Sequence, residues 1–267
     1  MSGFLFINPR SGDGGPTAAE LAAEARVRGI SVHLLAEGDD LESLARSVDT
    51  ELVGMAGGDG SLGVVAGVAA DRGLSFVCVP FGTRNHFARD LGLDRADPVA
   101  ALAAFDGGVE RRVDLARANG RAFVNNASLG LYADLVVERE RHRRRGAALA
   151  RLRAVVRTAR SRRPLRLLID GERAEVRVLL IASNAYVLKG LDLGSRERLD
   201  EGLLHVYRIE HVLPRGWAEL PPRAELTIEA PSVRQLVVAL DGEPVELQTP
   251  LEVVLEPGAL RVALPGH

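Results

Sequence analysis

Residues 52–63, Leu52-Val53-Gly54-Met55-Ala56-Gly57-Gly58-Asp59-Gly60-Ser61-Leu62-Gly63, decide the fold. Leu52 to Ala56 is a short apolar run of the kind that makes a buried parallel strand. Past the glycines, Leu62, Val65, Ala66 and Ala69 recur at three- and four-residue spacing, one face of a helix. A strand, a glycine-rich turn and a helix are how α/β proteins hold phosphates. Glycines let the backbone approach the anion, and the helix start supplies free N–H groups and a partial positive charge. An acid in such a loop repels phosphate, so Asp59 has two open readings. It is an indirect metal partner or the orienter of a nucleotide, or it simply caps the helix.

Working outward, Phe4 to Ile7 reads as a first strand and runs into Asn8-Pro9-Arg10-Ser11-Gly12-Asp13-Gly14-Gly15. This is a second glycine-rich turn, with Arg10 available for a phosphate. Thr17 is placed to cap a helix from Ala18 to Arg28. A strand is expected over Ser31 to Leu35 and a helix over Asp40 to Val48. On the other side, Ser75 to Val79 reads as a strand ending in Pro80-Phe81-Gly82-Thr83-Arg84-Asn85-His86, with a helix from about Asn85 to Leu91. Asp97-Pro98 starts one more helix that ends near Phe105. This alternation predicts a parallel sheet covered on both faces. The loops around residues 8–15, 57–61 and 82–86 all follow strands, where open parallel sheets bind their ligands.

After about residue 110 the pattern changes. Val113 to Ala116 and Arg121 to Ala127 flank Asn119-Gly120, a strong hairpin signal. Further β-rich runs cover 165–169, 174–183, 203–210, 224–230, 233–240 and 251–255, with tight turns at Asp170-Gly171 and Asp241-Gly242. The chain thus reads as an α/β domain over residues 1–110 and an antiparallel β domain over 111–267, whose last strand is free to return to the first domain. One arginine-rich helix, expected over Leu131 to Arg163, interrupts the second. Leu149, Leu152, Val155 and Val156 give it an apolar stripe. It suits either packing on the sheet or an anionic membrane surface.

The chain has 267 residues, 46% of them hydrophobic, and a net charge of -2, which argues against a general attraction to nucleic acid. Lys189 is its one lysine, so a lysine nucleophile or a Gly-Lys-Ser/Thr phosphate loop has essentially no candidate. Cys78, the single cysteine, sits in an apolar run and reads as a small core residue. The first residues lack a signal pattern and no apolar run nears ~18 residues, so a soluble, cytoplasmic protein is expected.

Three acids stand out for chemistry: Asp59 in the glycine loop, Asp114 near the domain junction, and Glu243 after a hairpin turn. Phosphoryl transfer needs a metal on the phosphates and a carboxylate to take the acceptor's proton. Each acid also has a purely structural reading, and Asp170-Gly171-Glu172 repeats the tripeptide of Asp241-Gly242-Glu243. His86 reads either as a base or as a helix-start histidine. The remaining histidines lack ligand spacing, and Ser11 and Ser61 have no histidine at a hydrolase distance.

These motifs, in this order, resemble the diacylglycerol kinase catalytic-domain superfamily, in particular its bacterial lipid kinases, relatives of sphingosine kinases. Asn8-Pro9-Arg10-Ser11-Gly12 is similar to its opening motif, and Gly57-Gly58-Asp59-Gly60-Ser61 to its Gly-Gly-Asp-Gly-Thr signature. Pro80 to Gly92, Val113-Asp114-Leu115, Asn125 to Gly130 and Asp241-Gly242-Glu243 match later blocks. The resemblance implies an NAD kinase- or phosphofructokinase-like first domain, a C-terminal antiparallel β-sandwich, and an active site in the cleft between them. It implies transfer of the γ-phosphate of ATP to a lipid hydroxyl such as that of diacylglycerol. Catalysis falls to Glu243, the base, and Asp59, which arranges nucleotide and Mg2+. The nucleotide side comprises Asn8, Arg10, Ser11, Gly57, Gly58, Gly60, Ser61, Gly82, Thr83, Asn85 and Asp114. A structural magnesium is implied at Glu201, with backbone help from Arg198 and Leu203. The implied partners are ATP, a lipid and the inner membrane surface, with no nucleic acid and a homodimer left open.

Two positions depart from the pattern. His86 and Glu201 each stand where the family usually has Asp, and a neutral imidazole brings no negative charge to magnesium. A nucleotide- or lipid-binding protein that has lost catalysis therefore stays open as an alternative. An NAD kinase relative is disfavoured, because no Asn-Glu pair follows the glycine loop to hold a nicotinamide ribose.

Overall fold

The computed structural model describes residues 3–12, 14–130, 164–187, 194–209 and 217–266. The arginine-rich segment Leu131 to Arg163 and Lys189 lie outside the described residues. Strands β1 (Gly3–Ile7), β2 (Ser31–Leu34), β3 (Leu52–Gly57) and β4 (Ser75–Pro80) form a parallel sheet in the order β2-β1-β3-β4. Every residue of β3 is buried. A parallel strand covered on both faces is apolar throughout rather than alternating, which is why residues 52–56 read as one run. Helix α1 (Ala18–Val27) covers one face, joined by α5 (Pro98–Ala101) and the 3-10 turn Leu102–Phe105, so that Leu21, Phe105, Leu5 and Val79 share a core. Helices α2 (Leu41–Ser47), α3 (Asp59–Arg72) and α4 (His86–Asp90) cover the other, with Leu62, Val65, Met55 and Phe87 packed together.

Local chemistry sets the helix ends. Thr17 accepts from Glu20 N, and the Glu20 carboxylate accepts from Thr17 N, a reciprocal capping box at the start of α1. Asp40 caps α2 through Ser43 N.

The second half adds β5 (Val109–Ala118), β6 (Arg121–Phe123), β7 (Asn126–Gly130), β8 (Leu165–Ile169), β9 (Glu172–Val176), β10 (Val178–Ser183), β11 (Leu204–Ile209), β12 (Trp217–Arg223), β13 (Glu225–Glu229), β14 (Gln235–Leu240), β15 (Glu243–Gln248) and β16 (Leu251–Leu264). The hairpins at Asn119-Gly120, Asp170-Gly171 and Asp241-Gly242 all carry positive φ at both turn residues, as two-residue turns between right-twisted strands require. An antiparallel sheet, β12-β11-β10-β7-β14-β15, faces the strands β16-β13-β8-β9, and Leu129, Ile181, Val206, Ile228, Val238 and Val253 fill the core between them.

β16 joins the two halves. Its first residues pair antiparallel with β13, and Arg261 to Ala263 pair parallel with Ser75 to Val77 of β4. It also runs antiparallel to β5 across an irregularity between Glu256 and Leu260. The parallel sheet and half of the sandwich are therefore one hydrogen-bonded surface.

Four expectations are corrected. Residues 174–183 are two strands in different sheets, β9 and β10, and the run 121–127 divides between β6 and β7 in the same way. In both places the chain crosses from one layer of the sandwich to the other. Strands β12 and β15 go unseen in the sequence because Pro221-Pro222 and Pro244 interrupt them. Each is an edge strand with one neighbour among the described residues, and proline is tolerated at such an edge. β16 outruns its apolar stretch at 251–255 because the chain passes through Pro257-Gly258 and continues.

Candidate active site

The three loops expected at the strand ends touch one another. A side chain at Gly57 would lie 3.3 Å from Ser61 Cβ and 3.6 Å from Asn8 Cβ, so the first and second loops share that corner. Asn8 N donates to Ala56 O at 2.8 Å, and Asn8 Oδ1 accepts from Arg10 N at 3.1 Å. Gly82 presses on Gly58: a Cβ there would stand 2.6 Å from Gly58 Cα. Only glycine permits that approach of two backbones.

Asn85 closes the third loop. It holds φ 47°, and its side chain clasps the Gly82 backbone, accepting from Gly82 N at 2.8 Å and donating to Gly82 O at 2.7 Å. Through these two bonds Asn85 shapes the cradle. Thr83, Arg84 and Arg10 are exposed around the rim.

Asp59 opens α3 with 8% of its surface exposed. Its two oxygens accept from His86 N at 3.2 Å and Phe87 N at 3.1 Å, the first N–H groups of α4. The acid that is odd for a phosphate loop thus caps the neighbouring helix rather than its own, and leaves each oxygen a lone pair. Burial lowers the pKa of His86 against the pull of Asp59, with Arg89 and Arg84 adding to the lowering. The imidazole is neutral at pH 7, and its buried Nδ1 has no partner among the described residues.

The second half of the chain meets this cradle through the β14–β15 hairpin. A methyl group on Gly60 would overlap Glu243 Cγ, so the Glu243 side chain lies directly on the glycine loop. Asp241 holds the hairpin there. Its Oδ2 accepts from Val124 N at 2.8 Å, and its Oδ1 from Asn125 N at 2.7 Å and Asn126 N at 3.1 Å. Burial of this carboxylate, with the nearby charge of Asp59, pushes its pKa up to about 7 despite the three donors. From Gly60, Asp241 and Glu243 a cleft of ≈ 220 Å³ runs along α3, past Val64, Val68, Leu240 and Val245, to Arg46, Arg117 and Arg121.

Other residues implied by the resemblance lie elsewhere. Asp114 is 3% exposed, with its oxygens taken by Gly258 N at 2.8 Å and Gly202 N at 2.7 Å. It braces β16 against the Gly202 loop. Glu201 accepts from Ala185 N at 2.8 Å and lies 3.4 Å from His205 Nε2. The Leu203 carbonyl accepts from Asn184 N, and the Arg198 guanidinium turns onto Asp200. Both contacts of Glu201 fall on Oε2.

Sequence reasoning missed Arg196 and Asp90. Arg196 is 4% exposed and pairs with Asp90 at 2.8 Å. Nothing distinguishes either from other charged residues along the chain. The role of Asp241 was hidden for another reason, since Asp-Gly is an ordinary turn signal.

Residues 2–118 match the diacylglycerol kinase catalytic domain. A probable lipid kinase YegS-like protein of Pseudomonas fluorescens is 30% identical over 275 residues, covering 93% of this chain and 90% of that protein. The chain belongs to the diacylglycerol kinase catalytic-domain family. A probable lipid kinase YegS-like protein of Klebsiella pneumoniae is 27% identical over 98% of the chain and 95% of its own length. A putative diacylglycerol kinase from Bacillus anthracis has the same fold, with a TM-score of 0.68 at 19% identity over 98% of this chain and 96% of that one. As a member of this family the chain is a kinase, a phosphotransferase, built from an N-terminal α/β layer and a C-terminal antiparallel sandwich. No helix among the described residues is long and apolar enough to cross a membrane.

Proposed function

We propose that this family member transfers the γ-phosphate of ATP to a lipid hydroxyl, with Glu243 as the general base. The observation that carries the reading is the placement of Glu243 on Gly60. It puts an exposed carboxylate from the sandwich beside the glycine loop and the N-terminus of α3, a helix of 14 residues whose free N–H groups favour anions.

In this reading Gly57, Gly58, Gly60 and Ser61 cradle the phosphates, Gly82 and Thr83 close over them, and Asn8, Arg10 and Ser11 flank them. Glu243 accepts the proton of the acceptor hydroxyl as its oxygen bonds to the γ-phosphorus. The bond from that phosphorus to the β-phosphate oxygen breaks, and ADP and a phosphorylated lipid result. Magnesium coordinates one or two carboxylates together with substrate phosphates. Asp59, with one lone pair left on each oxygen, would hold it, and the ion would neutralise phosphate charge. The cleft along α3 is smaller than the roughly 300 Å³ of a pocket that encloses a drug-sized ligand. It suits a glycerol-sized headgroup with the acyl chains outside, and so a peripheral membrane surface.

The test is transfer of label from γ-labelled ATP, with magnesium, to diacylglycerol and an extracted lipid panel. Wild type should label a lipid. Glu243→Gln should lose about 10²–10⁴-fold in turnover while keeping ATP affinity. Labelled lipid from Glu243→Gln at the wild-type rate would remove the base from this reading. His86, standing where the family usually has Asp, favours a second reading, a protein that binds nucleotide without turnover, and ATP binding without any labelled lipid would support it.

A further inference from the structure

The Arg196–Asp90 pair closes a ring of contacts around the start of α3. Glu243 rests on Gly60 and is two residues from Asp241. Asp241 is held by the N–H groups of Val124, Asn125 and Asn126. The same segment is held from its other side by Arg196, which donates to Val124 O at 2.7 Å and Asn125 Oδ1 at 2.7 Å, and also to Ser183 O at 3.0 Å. Arg196 Nε then reaches Asp90 Oδ2 at 2.8 Å, at the end of α4. α4 begins on Asp59, and Asp59 adjoins Gly60.

Resting on the reading of Glu243 as the base, we propose that Arg196 and Asp90 are positioning residues for phosphoryl transfer. They fix the sandwich hairpin over the glycine loop. The side chains of both are 1% exposed. A buried ion pair contributes little net stability compared with apolar residues of the same size, and its best-attested use is to fix one geometry among several. This pair has the means: a planar fork with four acceptors on three separate segments, which an ammonium group cannot reproduce. The functional groups on either side belong to different layers of the molecule. Their relative position is therefore not set by either layer's own core, and a displacement of about 1 Å at a reacting group costs about a hundredfold in rate.

The test compares Arg196→Lys with Leu21→Ala, a cavity in the core under α1, remote from the ring. Both are assayed below their Tm, with amide hydrogen exchange measured on the same samples. Arg196→Lys is expected to lower kcat about a hundredfold with KM for ATP within about twofold, because the loops on the α3 side stay intact. Exchange should rise in peptides covering 122–127 and 241–247. Leu21→Ala, at a comparable loss of Tm, should keep kcat and exchange faster in α1. Unchanged exchange at 241–247 in Arg196→Lys, or equal kcat in the two variants, overturns the proposal. If wild-type protein labels no lipid, the lipid-kinase reading fails alone, and the exchange difference still decides whether Arg196 holds the hairpin.

Discussion

At the scale of single residues, the site depends on groups that differ in what they can concede. Gly60 and Gly82 both exclude a side chain, but for different neighbours. A methyl at Gly60 meets the flexible arm of Glu243, whereas one at Gly82 meets the backbone of Gly58 at 2.6 Å. Gly60→Ala is therefore expected to keep its Tm within a few degrees and lose activity, because the base is pushed off the loop. Gly82→Ala should destabilise by about 1–3 kcal/mol, read by chemical denaturation. Asp241 makes a separate case. Its native pKa of about 7 lies above the ordinary carboxylate value, so folding takes up a proton. Its contribution to stability is fully present near pH 4, falls as pH rises towards 7, and is flat beyond that. Asp241→Asn cannot accept from Val124 N and should cost about 1–3 kcal/mol. The gap between wild type and variant should be wider at pH 5 than at pH 8, and a gap independent of pH would contradict the raised pKa. The sequence could not separate Asp241-Gly242-Glu243 from Asp170-Gly171-Glu172 by residue type. Both are two-residue turns with positive φ, and only the fold sets one against Gly60 and the other beside Arg223 and Thr227.

At the scale of elements, α4 is a helix of five residues whose start is organised entirely by contacts made elsewhere. Asn85, in the left-handed region, gives its amide to Gly82, and Asp59 supplies the cap that Asn85 does not. Asn85→Ala loses both amide bonds and places Cβ at φ 47°, where side chains other than Asn, Asp and Gly are strained. A loss of about 1–3 kcal/mol is expected, together with weaker ATP binding by calorimetry, since the third loop and the Asp59 partners move together. Unaltered ATP affinity would mean that the third loop takes no part in the cradle. The strand–loop–helix units of the first half were legible because their signals are local: a buried run, a glycine turn, a capping box at Thr17. Edge strands β12 and β15 were not, because the prolines that argue against a strand in sequence are harmless where a strand has one neighbour. The layer changes at residues 124–125 and at Arg177 were illegible too, for a β-rich run carries no mark of the sheet that it joins.

At the scale of the molecule, the pattern change near residue 110 marks a change of topology, and β16 determines whether it is also a boundary of folding. This strand pairs with β13, β5 and β4, so its hydrogen bonds belong to the sandwich and to the parallel sheet at once. Leu260 of β16 is fully buried in the core beneath α3, whereas Leu251 and Val253 of the same strand are buried between the sandwich sheets. A clasp on the surface repeats the connection. Arg117 of β5 bonds Asp71 of α3 at 2.6 Å and Glu256 of β16 at 3.0 Å, and Asp71 bonds Arg46 of α2 at 2.8 Å. Such pairs are individually worth about 0–1 kcal/mol, so the buried strand rather than the clasp should carry the coupling. Leu260→Ala is expected to destabilise by about 2–5 kcal/mol and to lower the midpoints of ATP binding and of sandwich unfolding together, in a single calorimetric transition. If the two halves fold independently, the variant will instead show two transitions, with the sandwich melting at the wild-type temperature. The relative placement of Glu243 and Gly60 would then rest on the Arg196 ring alone, because β16 would no longer lock the sandwich that carries the hairpin to the parallel sheet beneath the glycine loop.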